Sequence, residues 1–520
     1  MKAGLDFGTT NSTISYIKEG RQLDTFKYTE MYDYIRSAVL YEDDGPPTIG
    51  TAAISQVKAS KELFKSLYLY FKMLLPISDS GQWAELANWP STAKTPREVT
   101  IDYLSQLLVE GEHSFKTWSG GFDTIVVSVP EVWQKNPSNV DAQTLEKIII
   151  DDLKLPLKQL ISEPVAAATY YVWKEQKTNP GFSGNILLCD VGGGTFDASL
   201  CKVEPGKIEV LWYDGNGNRG LGKAGVKFDQ EAVRLAWKKK HRTEADISSR
   251  EFQTLCIEFE EMKINRYDKI VTLYNKMCED KQTAQEYPLI AFGSGYVITP
   301  SLFDEAFKPI QDGISNVLQK AKNYLDTGKI KLDRLAIVGG FGRFFLVKKT
   351  ILEFFKLNEK DPKCIHLSGM DSHRAIANGA ALIASDLMAI KEFYSHSVGL
   401  QLCVKTPDTK FVTKNIPIIK AGADISALLS PKFYADETGN EYCVTPSGCD
   451  IDTNICVWVN GETLHIHRAH INLPSEVKEK FRVGLRVNRS NLAWLVLESK
   501  SGKKFEFGLD RILPEGLLIL

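Results

Sequence analysis

The sequence lacks the segments that would tie the chain to a membrane or to a zinc cluster. None of its apolar runs is long enough to cross a bilayer, and a predicted strand begins at Ala3 without a basic, then apolar leader. The nine cysteines are scattered, and Cys443, Cys449 and Cys456 do not form the Cys-x-x-Cys pairs that zinc sites use. These absences predict a cytoplasmic protein with reduced thiols and no membrane partner.

The sequence also lacks an excess of charge of either sign. It has 63 Lys and Arg against 65 Asp and Glu, which gives a formal net charge of −2. Nothing therefore indicates nucleic acid or an anionic membrane as a partner. At 520 residues, 43% hydrophobic and 25% charged, the chain is expected to form two or three globular folding units.

The most informative stretch is residues 185–200, NILLCDVGGGTFDASL. An apolar run leads to Asp190, three glycines, Thr195, Asp197 and a second apolar run, which predicts a strand, a tight turn and a strand. Glycines let backbone N–H groups approach a phosphate closely. An acid at the mouth of such a turn would repel that phosphate unless a cation lay between them, so Asp190 indicates Mg²⁺ held largely through its waters.

The same pattern occurs at the N-terminus. A short apolar run leads to Asp6, then to a Gly/Thr turn at residues 8–12, and then to an alternating segment at residues 13–17. Either hairpin alone could be an ordinary turn, because Gly, Thr and Asn are common there. Two hairpins with matching acids indicate two half-sites that hold one polyphosphate from opposite sides.

These motifs resemble the phosphate motifs of the actin, hexokinase and heat-shock ATPase superfamily, and specifically its 70-kDa heat-shock chaperone branch. Residues 335–343, LAIVGGFGR, are similar to the adenosine motif of that branch, and residues 161–168, ISEPVAAA, to the segment that carries its Glu near the attacking water. The four motifs agree in order and spacing over most of the first three-quarters of the chain. The resemblance implies an α/β fold of the actin-like, ribonuclease H-like kind, with two lobes around a cleft that binds ATP or ADP with Mg²⁺.

The resemblance also implies catalytic roles. Lys72, within a predicted helix at residues 60–75, corresponds to the catalytic Lys, whose buried ammonium would stabilise the charge that develops on the transferring phosphate; the alternative is a solvated helix lysine. Asp6 and Asp190 would hold the waters of the metal. Asp6, Glu163 and Asp197 would position the attacking water, and Thr195 would contact the γ-phosphate.

The remaining implied contacts bind the nucleotide. Glu260 and Lys263 fall at the ribose-contacting pair, although a Glu and a Lys three residues apart on a helix are more often a solvated face. The other predicted contacts are those to the phosphates, from Gly8, Thr9, Thr10, Asn11, Gly192, Gly193, Gly194 and Thr195, and those to the adenosine, from Gly339, Gly340, Gly342 and Arg343.

Two segments depart from familiar patterns. A predicted strand ending at Pro130 resembles the segment that leads to the signalling proline of the chaperones, but residues 131–138 contain no Arg for the relay that normally follows. Residues 215–220 spell GxGxxG, yet a dinucleotide site needs a helix directly at the last Gly, and further glycines follow instead.

Periodicity predicts a helix near residues 140–153, helices over 228–267, strand-like runs at 270–274 and 289–292, and a helix near 299–325. The domains are predicted as a nucleotide-binding domain at 1–388, a short linker at 389–396 and a β-rich domain at 397–520. Seven strand candidates in the last of these predict a smaller, mainly-β sandwich-like domain that resembles a truncated peptide-binding domain without its helical lid. They are at residues 398–404, 427–434, 455–459, 464–467, 481–487, 492–497 and 504–509.

Three functions fit these features. The first is a slowly ATP-hydrolysing chaperone whose nucleotide state changes its affinity for an unfolded or client polypeptide, with a possible co-chaperone or nucleotide-exchange factor. The second is a small-molecule kinase of the same superfamily, and the third is an actin-like filament or regulatory ATP-binding protein. The close match of CDVGGGTFD (residues 189–197) and SEPVAAA (residues 162–168) to the chaperone branch favours the first function. His465, His467 and His470 are interpreted as surface histidines, because no acid or Cys stands at ligand spacing beside them.

Overall fold

The computed structural model describes residues 1–18, 22–28, 33–42, 45–77, 81, 83, 89–90, 93–135, 140–205, 207–215, 224–247, 249–365, 369–405, 411–436, 439, 441–459, 463–474 and 477–509. Most of the GxGxxG stretch, part of the segment without the relay Arg, and residues 510–520 lie outside these ranges. Among the described helices, none combines the length and the apolar character that a membrane crossing requires. All nine cysteines are free thiols.

The first lobe is built on a mixed sheet. Its strands are β1 (Lys2–Phe7), β2 (Asn11–Ile17), β3 (Leu23–Thr25), β4 (Ile35–Arg36), β5 (Ala38–Leu40), β6 (Thr48–Ile49), β7 (Leu67–Leu69), β8 (Thr124–Val129) and β9 (Leu157–Ser162). The main sheet has the order β3-β2-β1-β8-β9 with β4 beside β2, and β5, β6 and β7 form a small separate sheet. β1 pairs antiparallel with β2 and parallel with β8, which pairs parallel with β9.

The described residues of this lobe include seven α-helices. They are α1 (Thr51–Ala59), α2 (Phe71–Leu74), α3 (Pro96–Leu108), α4 (Phe115–Ser119), α5 (Glu131–Lys135), α6 (Val140–Lys147) and α7 (Glu163–Thr178). α6 continues into a π-helical turn, Ile148–Asp152, so the helix predicted near residues 140–153 is confirmed. α3 begins at a capping box, in which Thr95 and Glu98 satisfy each other's backbone N–H groups.

The second lobe repeats the arrangement of the first. Its strands are β10 (Gly184–Val191), β11 (Phe196–Glu204), β12 (Lys207–Gly215), β13 (Ile290–Phe292), β14 (Tyr296–Ile298) and β15 (Arg334–Val338). The main sheet has the order β12-β11-β10-β15, in which β10 and β11 form an antiparallel hairpin and β15 lies parallel to β10. Each lobe thus contains a hairpin followed by a parallel strand, and both predicted hairpins are confirmed.

The remaining helices cover the second sheet and return to the first. They are α8 (Gly225–His241), α9 (Arg250–Asn265), α10 (Tyr267–Met277), α11 (Lys281–Glu286), α12 (Pro300–Thr327), α13 (Phe345–Phe354) and α14 (Gly369–Ala384). The apolar faces of α7 and α14 share one buried core with both sheets. Small side chains allow this close packing, since a Cβ at Gly379 would lie 1.7 Å from the backbone oxygen of Ala166.

The C-terminal region is a two-sheet β structure, consistent with the predicted sandwich. Its strands are β16 (Ser397–Lys405), β17 (Phe411–Ile419), β18 (Lys432–Phe433), β19 (Cys443–Val444), β20 (Asp450–Val459), β21 (Thr463–Asn472), β22 (Phe481–Val487), β23 (Ala493–Ser499) and β24 (Lys504–Gly508). One sheet has the order β17-β16-β20-β21, and the other β18-β22-β23-β24 with β19 beside β22. The inward faces of the two sheets form a core of their own.

Three sequence predictions are wrong in part. The helix predicted at 60–75 is a 3₁₀ turn (Lys61–Ser66), then β7, then α2, because Leu67, Tyr68 and Leu69 pair with β5. Ser60 makes no side-chain cap there. The chain turns at Tyr70, whose φ of 59° is left-handed and cannot continue a helix.

The run at 270–274 is helical rather than extended. It lies within α10, where Ile270 and Tyr274 are four residues apart and are both buried against the second lobe. The apolar, β-branched run predicted a strand, but packing against the second lobe decided in favour of a helix. Residues 427–434 are likewise only partly extended: a 3₁₀ turn, Ile425–Leu428, precedes the two-residue β18.

Candidate active site

Two glycine loops face each other across the cleft between the lobes. The first joins β1 to β2, and the second joins β10 to β11. A Cβ at Gly193 would lie 2.5 Å from the methyl group of Thr10, and one at Gly194 would lie 2.6 Å from the hydroxyl of Thr9. The loops therefore approach so closely that only glycine fits on the second one.

Each loop is held in place by a neighbouring element. In the first, Ser37 donates its hydroxyl to the oxygen of Gly8 at 2.7 Å and its N–H to the oxygen of Thr10 at 2.9 Å. In the second, the N–H of Val226, in the first turn of α8, donates to the oxygen of Gly193 at 2.8 Å. Fixed loops of this kind present preorganised N–H groups to an anion.

Four acids converge beneath the loops. Asp6 ends β1, Glu163 begins α7, and Asp190 and Asp197 lie directly opposite each other in the β10–β11 hairpin. Burial, with Glu163 as the next cause, raises the pKa of Asp6 to about 7 and that of Asp197 to about 7. Burial raises the pKa of Asp190 well above its usual value, and the neighbouring acids add to the effect.

Lys72 lies beside these acids and is 2% exposed. Its ammonium donates to the carboxylate of Glu163 at 2.6 Å, so the solvated-lysine alternative is wrong for this residue. The rings of Phe7 and Trp133 lie 5.6 and 5.7 Å from the ammonium. One buried ammonium cannot neutralise four ionised acids, which is in keeping with their raised pKa values, and a divalent cation would favour their ionised forms.

The donor set fits Mg²⁺. Carboxylate oxygens are the ligands that a hard cation prefers, and Mg²⁺ keeps several of its waters when few carboxylates reach it directly. Asp6 and Asp190 come from opposite lobes and face the same space, and both line the same cavity. The residues present therefore suit a hydrated Mg²⁺ between the acids and a bound phosphate.

The two residues predicted to contact ribose lie on the same helix, α9, and both are buried ion-pair members. Glu260 accepts two hydrogen bonds from Arg36 of the first lobe, at 2.9 and 2.6 Å. Burial acts to raise the pKa of Glu260, but the pair with Arg36 outweighs it and lowers this pKa. Lys263 donates to both oxygens of Asp229, at 2.5 and 2.8 Å. Glu260 thus joins the lobes, and the solvated-face alternative is wrong for both residues.

The predicted adenosine motif follows β15 directly. Gly339 has a φ of 80°, and a Cβ there would lie 2.4 Å from a carboxylate oxygen of Asp190. The turn that it starts brings Arg343 to the wall of the cleft. The hydroxyl of Tyr267 donates to the backbone oxygen of Arg343 at 2.8 Å and closes this end.

All but two of the predicted site residues line one cavity of about 470 Å³. The exceptions are Gly342, which lines an adjoining cavity, and Asp197. This volume lies within the range of about 300–1,000 Å³ that is usual for small-molecule sites. Asp197 is buried and does not line this cavity, and a Cβ at Gly215 would clash with its carboxylate.

Sequence reasoning missed four contributors to the cleft, namely Arg36, Asp229, Tyr267 and His373. Arg36 ends the two-residue strand β4, so no local pattern marks it. Asp229 falls at the start of the region predicted as helices, 228–267, where no role was assigned to it. The positions of Tyr267 and His373 depend on packing between elements that are distant in sequence.

The histidines of β21 give no metal site. His470 is 61% exposed in its side chain and lies within ion-pair distance of Asp450 and Asp452. An acid does therefore stand beside it, contrary to the sequence reading, but it comes from the neighbouring strand β20. Within the described ranges, no group of three or more His, Cys, Asp and Glu side chains is arranged to ligate a metal ion directly, so Mg²⁺ at Asp6 and Asp190 would be held through its waters.

Two mixed sheets with repeated hairpins, two glycine loops and a cluster of buried acids define a two-lobed α/β protein of the actin-like ATPase class. A family sequence model described as Hsp70 protein matches residues 96–417, more than half of the chain. The chain therefore belongs to the Hsp70 family.

The relatives are distant in sequence. The chain is 27% identical over 406 residues to the chaperone protein DnaK of Thermotoga neapolitana, and the match covers 74% of this chain and 59% of that protein. It is 26% identical over 400 residues to DnaK of Thermosipho africanus, with 74% and 58% covered, and 25% identical over 413 residues to an HscA homologue of Shewanella putrefaciens, with 75% and 59% covered. The chain thus spans about three-fifths of the length of the curated relatives it matches.

Proposed function

We propose that this protein binds MgATP, hydrolyses it slowly, and acts as a chaperone of the heat-shock 70 type, with the nucleotide state controlling affinity for an unfolded or client polypeptide. The observation that carries the proposal is the pair of opposed glycine loops above four buried acids, with the buried Lys72 beside them. The names of the relatives, DnaK and HscA chaperones, support it.

The β- and γ-phosphates would lie between the two loops. N–H groups of Gly8 to Asn11 on one side and Gly193 to Thr195 on the other would bind their oxygens. Gly192 would support this turn, since its N–H donates to the oxygen of Thr195 at 3.0 Å. When bound, Mg²⁺ supplies the charge that offsets both the phosphates and the acids. Gly339, Gly340, Gly342 and Arg343 would bracket the adenosine, and Glu260 and Lys263 would contact its ribose.

The chain's own residues would then prepare water for attack. Without Mg²⁺ the pKa values of Asp6 and Asp197 are about 7, and the charge of Mg²⁺ would lower them, so that both carboxylates would accept hydrogen bonds from the attacking water. Glu163 would orient the same water, and Thr195 would donate its hydroxyl to the γ-phosphate. Lys72 would turn from Glu163 towards the phosphate oxygens and stabilise their charge as the bond breaks.

A route for coupling lies between the lobes and the β domain. The turn between β22 and β23 contacts the first lobe: Ser490 donates its hydroxyl to Glu146 at 2.7 Å and accepts the N–H of Leu160 at 3.0 Å. The segment before β16 contacts the second lobe, because the N–H of Lys391 donates to the oxygen of Ile208 in the edge strand β12. Movement of either lobe would therefore reach the β domain without the missing relay Arg.

The domain boundaries are part of this proposal. We assign the nucleotide-binding domain to residues 1–388, the linker to 389–396 and the β-rich, polypeptide-binding domain to 397–520. We also assign a cytoplasmic location and a co-chaperone or nucleotide-exchange factor as further partners.

The test is single-turnover ATP hydrolysis and ATP affinity, measured with and without a permanently unfolded polypeptide such as reduced, carboxymethylated lactalbumin. We expect slow, Mg²⁺-dependent hydrolysis that the polypeptide accelerates several-fold, and that Thr195→Ala slows by about tenfold or more because a donor to the transferring group is lost. If ATP binds but the polypeptide changes nothing, the coupling is wrong. A phosphorylated small molecule in place of free phosphate would indicate the kinase alternative.

A further inference from the structure

A second cavity lies in the second lobe, next to the adenosine end of the cleft. Its volume is about 210 Å³, and it is bounded by β15, by α13 and by the segment that leads to α14. It meets the nucleotide cleft at Tyr267 and Arg343, which line both spaces. Nothing in the proposed ATP chemistry uses the inner part of this cavity.

The inner end contains a buried hydroxyl. Ser372 lines the cavity, is 7% exposed, and its oxygen has no hydrogen-bond partner among the described residues. Buried polar groups are nearly always hydrogen-bonded, because an unpaired one forfeits its bonds to water. A hydroxyl that faces a cavity in this state indicates a ligand with a polar group at that point.

The rim of the cavity is predominantly basic. Arg343 has no carboxylate within ion-pair distance in the described part of the chain, and Lys348 has only Glu359, at 3.8 Å. That acid is 65% exposed in its side chain, so water screens the pair and little of the charge of Lys348 is neutralised. The lining thus combines two cations, one exposed acid and an unpartnered hydroxyl, and its net positive charge suits one carboxylate.

The walls between the rim and the hydroxyl are apolar. Leu335 and Leu352 are buried, and Ile337 and Cys364 complete the lining. Burial raises the pKa of the Cys364 thiol, which therefore stays neutral and apolar in character. Such walls accept a flat hydrocarbon or aromatic body.

We propose that this cavity binds a small organic anion with a bicyclic or similarly sized apolar body and one carboxylate. The carboxylate pairs with Lys348 and Arg343 and accepts a hydrogen bond from Ser372. The apolar body packs between β15 and α13.

Because the two cavities share Arg343, the two sites are coupled. A carboxylate that draws the guanidinium inwards withdraws it from the adenosine, so the anion and ATP each weaken the binding of the other by the same factor. This coupling rests on the function proposed above, whereas the binding of the anion does not.

The first experiment measures binding of 2-naphthoate to the full chain by titration calorimetry without nucleotide. We expect saturable binding of one molecule in the micromolar to low-millimolar range. Lys348→Ala should weaken it about tenfold, and Cys364→Phe, which fills the cavity, should abolish it. Lys349→Ala is the matched control, because that lysine is 61% exposed in its side chain and does not line the cavity.

Absence of saturable binding, or equal binding by the wild type and by both variants, would overturn the proposal. Thermal unfolding checks that each variant is folded, and Ser372→Ala tests the site with a smaller change if the filled variant is not. The second experiment repeats the ATP titration with saturating 2-naphthoate. Reduced ATP affinity supports the coupling, and unchanged ATP affinity with intact naphthoate binding refutes the coupling alone.

Discussion

The two glycine hairpins have the same backbone arrangement and different chemistry. In the second lobe, Asp190 lies opposite Asp197, so both strands of the hairpin carry an acid. In the first lobe, Asp6 lies opposite Thr13, and the hydroxyl of Ser128 donates to its carboxylate at 3.1 Å. The lobes thus share a fold repeat, but the second hairpin carries twice the acid charge.

This difference divides the proposed work of the site. The second lobe, with two facing acids, provides the stronger attraction for a cation. The first lobe has one acid in its hairpin, but the cation Lys72 lies beside it and pairs with Glu163. We therefore expect the second lobe to dominate metal affinity and the first to dominate the chemical step.

Loss of the lysine should produce the largest effect. Lys72→Ala removes the single cation of the described acid cluster, so we expect the single-turnover rate of ATP hydrolysis to fall by about 10²–10³. ATP affinity should change far less, since the loops still bind the phosphates. Rapid-quench measurement of released phosphate checks both quantities against Lys65→Ala, which alters a lysine in the same region that lies outside the cleft.

A small change in rate with a large change in ATP affinity would contradict this assignment. It would mean that Lys72 contributes to binding in the ground state rather than to the transition state. The division between the two lobes would then be wrong for the first lobe.

The acids make stability depend on pH. An unfolded Asp has a pKa near 3.9, whereas Asp6 and Asp197 have values of about 7 in the folded chain. Between about pH 4 and 7 the folded state therefore binds more protons than the unfolded state, and the free energy of unfolding falls as pH rises. We expect the protein without ligands to lose at least about 1.4 kcal/mol across this window, the value of one pKa unit.

Substitution in each hairpin sharpens the comparison. Asp190→Asn should flatten the pH dependence more than Asp6→Asn or Asp197→Asn, because Glu163, Asp197 and Asp6 all add to the effect of burial on the pKa of Asp190. Urea unfolding at several pH values measures this, with the exposed Asp312→Asn as control. Equal effects of Asp190→Asn and Asp6→Asn would show that the additional acids beside Asp190 do not contribute to the pH dependence.

The lobes also differ in how they contact the β domain. The first lobe contacts the β22–β23 turn through Glu146, and the second contacts the segment around Lys391. Burial raises the pKa of Glu146. Glu146→Gln keeps the size but weakens the acceptor for Ser490 and Asn488, at a cost of about 1–3 kcal/mol. We expect the polypeptide to accelerate ATP hydrolysis less in this variant, while basal hydrolysis stays within twofold.

The measurement is the ratio of hydrolysis rates with and without unfolded polypeptide. Asp151→Asn, an exposed acid just beyond the same helix, is the control. An unchanged ratio would indicate that the contact to the second lobe carries the coupling alone.

The sequence predicted most of what depends on local pattern. The Gly/Thr turns and their acids marked both hairpins, since few other patterns place an acid directly before a glycine turn. The helix at 60–75 failed because its strand pairs with β5, more than twenty residues earlier. Periodicity within one segment cannot reveal a partner strand.

Residues that act through distant partners were also beyond the sequence. Glu260 and Lys263 were recognised by their place in the family pattern, but their partners Arg36 and Asp229 come from other elements and were assigned no role. The pair of Arg36 and Glu260 depends on how the lobes close, whereas the pair of Lys263 and Asp229 lies within the second lobe, between α9 and α8. Sequence alone therefore located the cleft but not the contacts that hold it shut.

The smallest expected effect tests the contact between the lobes. Arg36 and Glu260 join them through a bidentate pair, each 17% exposed in its side chain, whereas the pair of Lys58 and Glu261 is about 40% exposed. Arg36→Lys cannot keep both hydrogen bonds, so we expect release of a fluorescent ATP analogue to quicken several-fold. Lys58→Ala should change it less than twofold, because exposed pairs contribute about 0–1 kcal/mol. If both variants release the analogue equally fast, closure depends on the loops and not on the buried pair.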